Sequence, residues 1–302
     1  MNRHALSATS GGTDSEIKDS GEPSLHLLTN TPELVIKPGY SSTQYWKDLW
    51  HYRELLYFLC WRDLIVRYKQ TAIGVVWALI RPLLTTLVFT VVFGTLAKLP
   101  ATGVPYPLMV FAGMLPWQLF ASALTDSSTS LLNNSHLISK VYFPRLLVPF
   151  GAVAVTLVDF SVSAMLFITM MIWYGIVPDW RVATLPIFIL LALSLSLGAG
   201  LWFASFNVKY RDFRYIVPVV IQLGLYISPV GFSREVIPEQ WRLWYSLNPM
   251  VAVIDGFRWA LLGGTQDFYL PGFYLSLGIA VFLLITGIWY FRRVEGMFAD
   301  KI

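Results

Sequence analysis

Leu146–Tyr174 reads LLVPFGAVAVTLVDFSVSAMLFITMMIWY, and Asp159 is the one ionisable acid or base in it. An uninterrupted apolar run of about 18 residues or more is long enough to cross a bilayer as a helix. The rest of the chain repeats the pattern. Hydrophobic residues make up 56% of it, charged residues 13%, and the mean hydropathy is +0.58. Soluble domains carry about 25% charged residues. The expected fold is therefore an all-α integral membrane protein with six transmembrane helices, at about 75–97, 107–124, 146–174, 185–206, 215–230 and 272–291.

The flanking segments differ in character. Residues 1–44 are rich in Ser, Thr, Gly, Pro and acids and lack an apolar stretch of the secretory-signal kind. They read as a disordered cytosolic tail. Tyr45, Leu49, Tyr52, Leu56 and Leu59 then recur at helical spacing, with Trp46, Trp50 and Trp61 beside them. An apolar stripe with flanking tryptophans predicts an amphipathic helix on the membrane surface, so 45–74 is read as interface helix and elbow. Arg81-Pro82 interrupts the start of the first span, where proline bends the helix and Arg81 snorkels to headgroups. Pro218 is expected in the first turn of the fifth span, where proline is tolerated. Residues 231–270 are long but not polar, and Val251–Leu262 is too short to span. Asn248-Pro249 and Gly263-Gly264 bracket it as turns. Re-entrant helices dipping in from the periplasmic side are predicted here.

The basic residues give the orientation. Arg62, Arg67, Lys69, Arg81, Lys140, Arg145, Lys209, Arg211, Arg214, Arg292, Arg293 and Lys301 fall on one side, against Lys98, Arg181, Arg234, Arg242 and Arg258 on the other. Cytosolic loops carry the excess of Lys and Arg, which places both termini in the cytosol. No phosphate-binding G-x-x-x-x-G-K-[ST] loop occurs, and His4, His26, His51 and His136 are scattered without metal-ligand spacing. No catalytic residue, metal site or cofactor site is expected on this chain. Cys60 stands alone and reads as a small buried apolar residue. Asp159, with Ser161 and Ser163 near it, is the clearest intramembrane charge, and no second acid is expected within a span.

Five blocks are similar to a known family. Arg62–Thr71 with Gly74, Trp77 and Pro82, then Phe111–Trp117, Lys140–Arg145, Val208–Asp212, and Ser228-Pro229-Val230 with Leu247–Met250 resemble permeases of type-2 ABC exporters. The branch they resemble exports polysaccharide, O-antigen and teichoic acid. The resemblance implies a homodimer of this chain bound to two ATPase subunits that carry the ATP and Mg. It also implies a coupling helix in the second-to-third connection, assigned to Asn134, His136, Ser139, Lys140, Tyr142 and Arg145. Arg62, Arg67, Lys69 and Arg81 are the expected cytosolic entrance for a polyprenyl-diphosphate-linked glycan. Tyr226, Phe232, Trp241, Trp244, Tyr245 and Trp259 are the expected aromatics of the path. Two other readings are a permease for another glycan or a small lipid or drug, and an ion-coupled flippase, which needs paired carboxylates within spans.

Overall fold

The structure is a computed structural model that describes residues 42–69, 74–98, 103–210, 212–263 and 268–298, without the side chains of 42–44, 74–78 and 81. The expected disordered tail lies almost entirely outside these residues, as do Arg211, Gly264, Lys301 and the side chains of Trp77 and Arg81. Every regular element among the described residues is helical.

The elements run α1 (Ser42–His51), α2 (Arg53–Lys69) and α3 (Gly74–Phe89), which continues as a π-helical stretch over Thr90–Leu96. Then come α4 (Tyr106–Asn133), α5 (Ser135–Lys140), α6 (Leu147–Trp173), α7 (Leu185–Lys209), α8 (Phe213–Ile227), α9 (Glu239–Tyr245), α10 (Met250–Leu261) and α11 (Leu270–Val294). Four stretches are long and apolar enough to cross a membrane: Tyr106–Asn133, Leu147–Trp173, Trp180–Lys209 and Leu270–Met297. The first and fifth expected spans appear as shorter apolar helices, Pro82–Leu96 and Phe213–Ile227.

Helix α4 is the centre of the bundle. Leu108 through Trp117 are all buried, because α6, α7 and α10 surround that half of the helix. A helix apolar on every side belongs inside a bundle, whereas α6 and α11 keep broad exposed apolar faces such as Ile172, Phe282 and Ile285. α4 continues well past the expected end at residue 124, since no Gly or Pro follows Trp117 until after Asn133. Its later turns carry buried Ser127, Ser128 and Ser130, whose hydroxyls donate to carbonyls one turn back at 3.2, 2.8 and 2.7 Å. These small, self-satisfied residues let α7 approach closely, and Asn207 Nδ2 donates to the Ser128 carbonyl at 2.8 Å. α7 meets α11 the same way: a Cβ on Gly198 would sit 2.7 Å from the Leu283 backbone, and one on Gly287 would sit 2.5 Å from the Gly198 oxygen.

The predicted stripe of Tyr45, Leu49, Tyr52, Leu56 and Leu59 does not run on one helix. The chain breaks at Tyr52 between α1 and α2, and the stripe packs on the bundle's second core cluster with Phe143, Leu146, Phe291 and Phe298. The stripe therefore faces protein, and Trp50, Tyr57, Phe58 and Trp61 form the exposed face instead. Pro218 is in the second turn of α8, because that helix starts at Phe213; it removes the bond to the Arg214 carbonyl.

The segment after α8 is held from inside. α10 packs against α4, α7 and α11. Its buried Arg258 donates to the carbonyls of Met109, Val230 and Phe232 at 3.1, 2.7 and 2.9 Å. Asp255, one turn earlier, pairs with Arg234 at 2.9 Å. A buried guanidinium is tolerable only where its nitrogens find acceptors, and each nitrogen of Arg258 has one.

Candidate functional site

Two hollows lie along the bundle end built by α2, α4 and α6. The larger, about 900 Å³, is lined by α2, α3, α4, α6 and α8. On α4 the residues Gln118, Ser122, Thr125 and Asp126 follow one another at i, i+4, i+7 and i+8, which is one helical face. On α6, Thr156, Asp159 and Ser163 follow at i, i+3 and i+7. Both polar stripes face the same groove, and Met114, Leu119, Ile221 and Leu225 complete it with apolar walls. The smaller hollow, about 460 Å³, lies toward α5 and is lined by Arg62, Asp63, Ser130, Asn133 and Asn134. Arg67 and Asp126 line both.

Arg67 sits where these meet. Its guanidinium spans two carboxylates, Asp126 on α4 at 2.5 Å and Asp159 on α6, while the Tyr68 hydroxyl donates to the other Asp159 oxygen. Burial, followed by the hydrogen bond and charge of Asp159, pushes the Tyr68 phenol up to about 12, so it stays a donor at physiological pH. Asp159 is thus satisfied from α2, not by its neighbouring serines. Ser161 points away and bonds its own helix at Leu157, because residues i and i+2 occupy different faces. Asp126 is the second helix-borne acid that sequence reasoning missed, since the span was expected to stop at 124. The absence of any Gly or Pro from Gln118 to Asn133 was the signal that could have found it.

The predicted coupling residues divide into two groups. α5 is present, with Asn134 at its N-cap position but making no cap bond. Asn134 instead donates to the Ser130 carbonyl at 2.9 Å and accepts from Arg62, whose guanidinium also holds Asp63 at 2.6 Å. His136, Ser139, Lys140, Val141 and Tyr142 are exposed, while Ile138 among them is buried. Arg145 is turned inward: its amide donates to Glu295 Oε1 at 2.8 Å and its guanidinium to the Glu295 carbonyl. The same carboxylate accepts from the Tyr45 hydroxyl at 3.0 Å, and Arg292 lies 4.5 Å from the Tyr45 ring centre. Burial, then the Glu295 charge, pushes the Tyr45 phenol up, so it remains a donor. α1, the α5–α6 loop and the C-terminal turn are joined there.

Of the predicted entrance residues, Arg62 and Arg67 come together and Lys69 is exposed at the end of α2. The predicted path aromatics have several different partners. Tyr226 is exposed and stacks on Phe89, the Tyr245 hydroxyl donates to the Ile227 carbonyl at 2.6 Å, and Phe232 lends its carbonyl to Arg258. Trp241 and Trp244 are exposed on α9. Trp259 lies instead beside Arg181, at 5.0 Å, and Phe268. None of the six lines the larger groove.

A helical membrane bundle with a polar groove and an exposed short helix between two long spans is the architecture of a transport permease. The chain belongs to the ABC-2 type transporter family, whose pattern matches residues 54–262. It is 26% identical, over 82% of its length and 94% of the relative's, to the O-antigen export system permease protein RfbA of Klebsiella pneumoniae. A Myxococcus xanthus O-antigen export permease is 29% identical over 70% of this chain and 82% of its own. The polysialic acid transport protein KpsM of Escherichia coli is 23% identical over 78% of this chain and 92% of its own.

Proposed function

We propose that this chain is the membrane permease of an ABC exporter for a lipid-linked polysaccharide, an O-antigen in first place, and that it works as a homodimer with two separate ATPase subunits. The observation that carries the reading is the exposed face of His136, Ser139, Lys140 and Tyr142. It projects from a helix anchored on one side by Arg62–Asn134 and on the other by Arg145–Glu295. A coupling element needs an outward face for the motor and stiff links to the spans, and α5 has both. The ATPase subunits hold ATP and Mg. α3 with its π-helical end, α4, α6, α7, α8 and α11 are the six spans of the inner-membrane protein, with both termini cytosolic. α9 and α10 are the re-entrant pair. Arg62 and Lys69 flank the cytosolic entrance, with Arg67 behind them held by Asp126 and Asp159, and the aromatics from Tyr226 to Trp259 serve the outer half.

Replacing Lys140 and Tyr142 together by alanine tests the coupling role without touching the Arg145–Glu295 link. The expected outcome is loss of ATPase co-purification and of polysaccharide export at normal membrane levels. Retention of both sinks the assignment.

The Asp126–Asp159 pair favours a second reading, since paired acids within helices are what an ion-coupled flippase requires. Arg67 already sets a fixed cation between the two carboxylates, the place a coupling ion would have to take. Export that persists after collapse of the proton gradient, with ATP maintained, decides for the ATPase-driven reading.

A further inference from the structure

We infer that the larger groove is a contact station for uncharged sugar rings of the moving polymer, with Gln118, Ser122, Asp126 and Asp159 as the groups that meet hydroxyls. The inference rests on the proposed polysaccharide exporter and adds where, and by what chemistry, the chain holds its cargo. Three observations support it.

The groove has the size of a ligand site, about 900 Å³ against the usual range of about 300–1,000 Å³. Its lining is of two kinds: polar groups on α4 and α6, and apolar groups that include Met114 on α4 and Ile221 and Leu225 on α8. A sugar ring has the same division, with apolar C–H faces and a rim of hydroxyls. Hydrocarbon tails match only the apolar wall, and facing a carboxylate or an amide to them is costly.

Gln118 is the second observation. Its Oε1 is buried and has no partner among the described residues, although the residue lines the groove. A buried acceptor left unpaired is unfavourable, so it calls for a donor from the occupant. Sugar hydroxyls are donors.

Charge is the third. Among the described side chains one guanidinium faces two carboxylates, so with both ionised the cluster is net negative. That repels the diphosphate of a lipid carrier and leaves carboxylate lone pairs for hydroxyl donors. The groove thus suits the glycan body rather than its anionic anchor.

The test uses the full chain with its ATPase in host membranes, in a Cys60→Ala background. Ser122→Cys, and Thr125→Cys as a second variant, are probed with a sulfonated maleimide. Polymer synthesis is switched on or off while orthovanadate blocks ATP hydrolysis. Both cysteines are expected to react without polymer and to be protected with it, whereas Val177→Cys, exposed in the loop between α6 and α7, labels equally in both states. Gln118→Leu is expected to slow export about fivefold, the effect of one lost hydrogen bond, with ATPase binding unchanged, and Gln118→Glu to keep most of the rate. Equal labelling with and without polymer overturns the inference, as does no labelling at all, which means a groove closed to water. Faster export by Asp159→Asn, which removes the net charge, assigns the groove to the diphosphate and also overturns it. If the unmodified chain with its ATPase exports nothing, the earlier reading falls instead.

Discussion

At the scale of single residues, Arg67 is the position on which most depends. Its side chain and those of Asp126 and Asp159 are each about one-quarter to one-third exposed, so the pairing lies between a surface and a buried ion pair. Arg67→Gln leaves two carboxylates close together with no cation. A loss of about 1–3 kcal/mol in stability is expected, read as a lowered Tm in detergent. Adding Asp159→Asn to that variant removes the repulsion and recovers part of the loss, so the double-mutant cycle gives a clearly non-additive coupling. Arg67→Lys does not restore the wild-type value, because an ammonium cannot fork across two acids. Additive losses would show that the three residues do not act together. The sequence displayed Arg67 and Asp159 plainly. It did not show that they touch, because about ninety residues of chain lie between them and nothing local links α2 to α6.

At the scale of elements, close helix approach governs the bundle. Gly198 and Gly287 bring α7 and α11 into backbone contact. Gly198→Val has no side chain to push aside, only the Leu283 and Leu284 backbone, so overpacking is expected to lower stability by about 1–3 kcal/mol or more and to reduce the folded fraction in membranes. A Cβ on Gly278 of α11 would meet only open space, and Gly278→Ala is expected to be neutral or slightly stabilising. Thermal denaturation of the two variants side by side separates packing from mere glycine loss; equal effects would refute the contact argument. Helix existence was readable from apolar runs at this scale. Helix ends were not: α4 runs to Asn133 although hydropathy and helix propensity both fall at Thr125, because no Gly or Pro interrupts it and its hydroxyls bond carbonyls one turn back, and α1 and α2 split at Tyr52 although the apolar stripe passes through.

At the scale of the whole molecule, Arg258 links three parts of the fold: α4 through Met109, the turn after α8 through Val230 and Phe232, and α10 on which it sits. Arg258→Met leaves three carbonyls without their donor in a dry interior. The expected effect is about 3 kcal/mol or more, with aggregation on size-exclusion chromatography in place of a monodisperse peak. Arg258→Lys keeps a charge and three donors and is expected to fold partly. A monodisperse Arg258→Met would mean that the buried cation is dispensable. Hydropathy and the basic-residue count read Arg258 as a loop charge, because a single arginine in a short segment gives no sign that its partners are distant carbonyls.

The sequence alone determined that the chain is a helical membrane protein without its own nucleotide-binding loop, because run length and absent motifs are local properties. It also carried the family, through short blocks in a constant order. Only the tertiary structure decided that Arg67 bridges Asp126 and Asp159, that Arg145 turns inward to Glu295, and that polar stripes of α4 and α6 share one groove. Those facts depend on which helix faces which, and that is settled by packing across the bundle, where close approach and the need to pair every buried charge outweigh local preference.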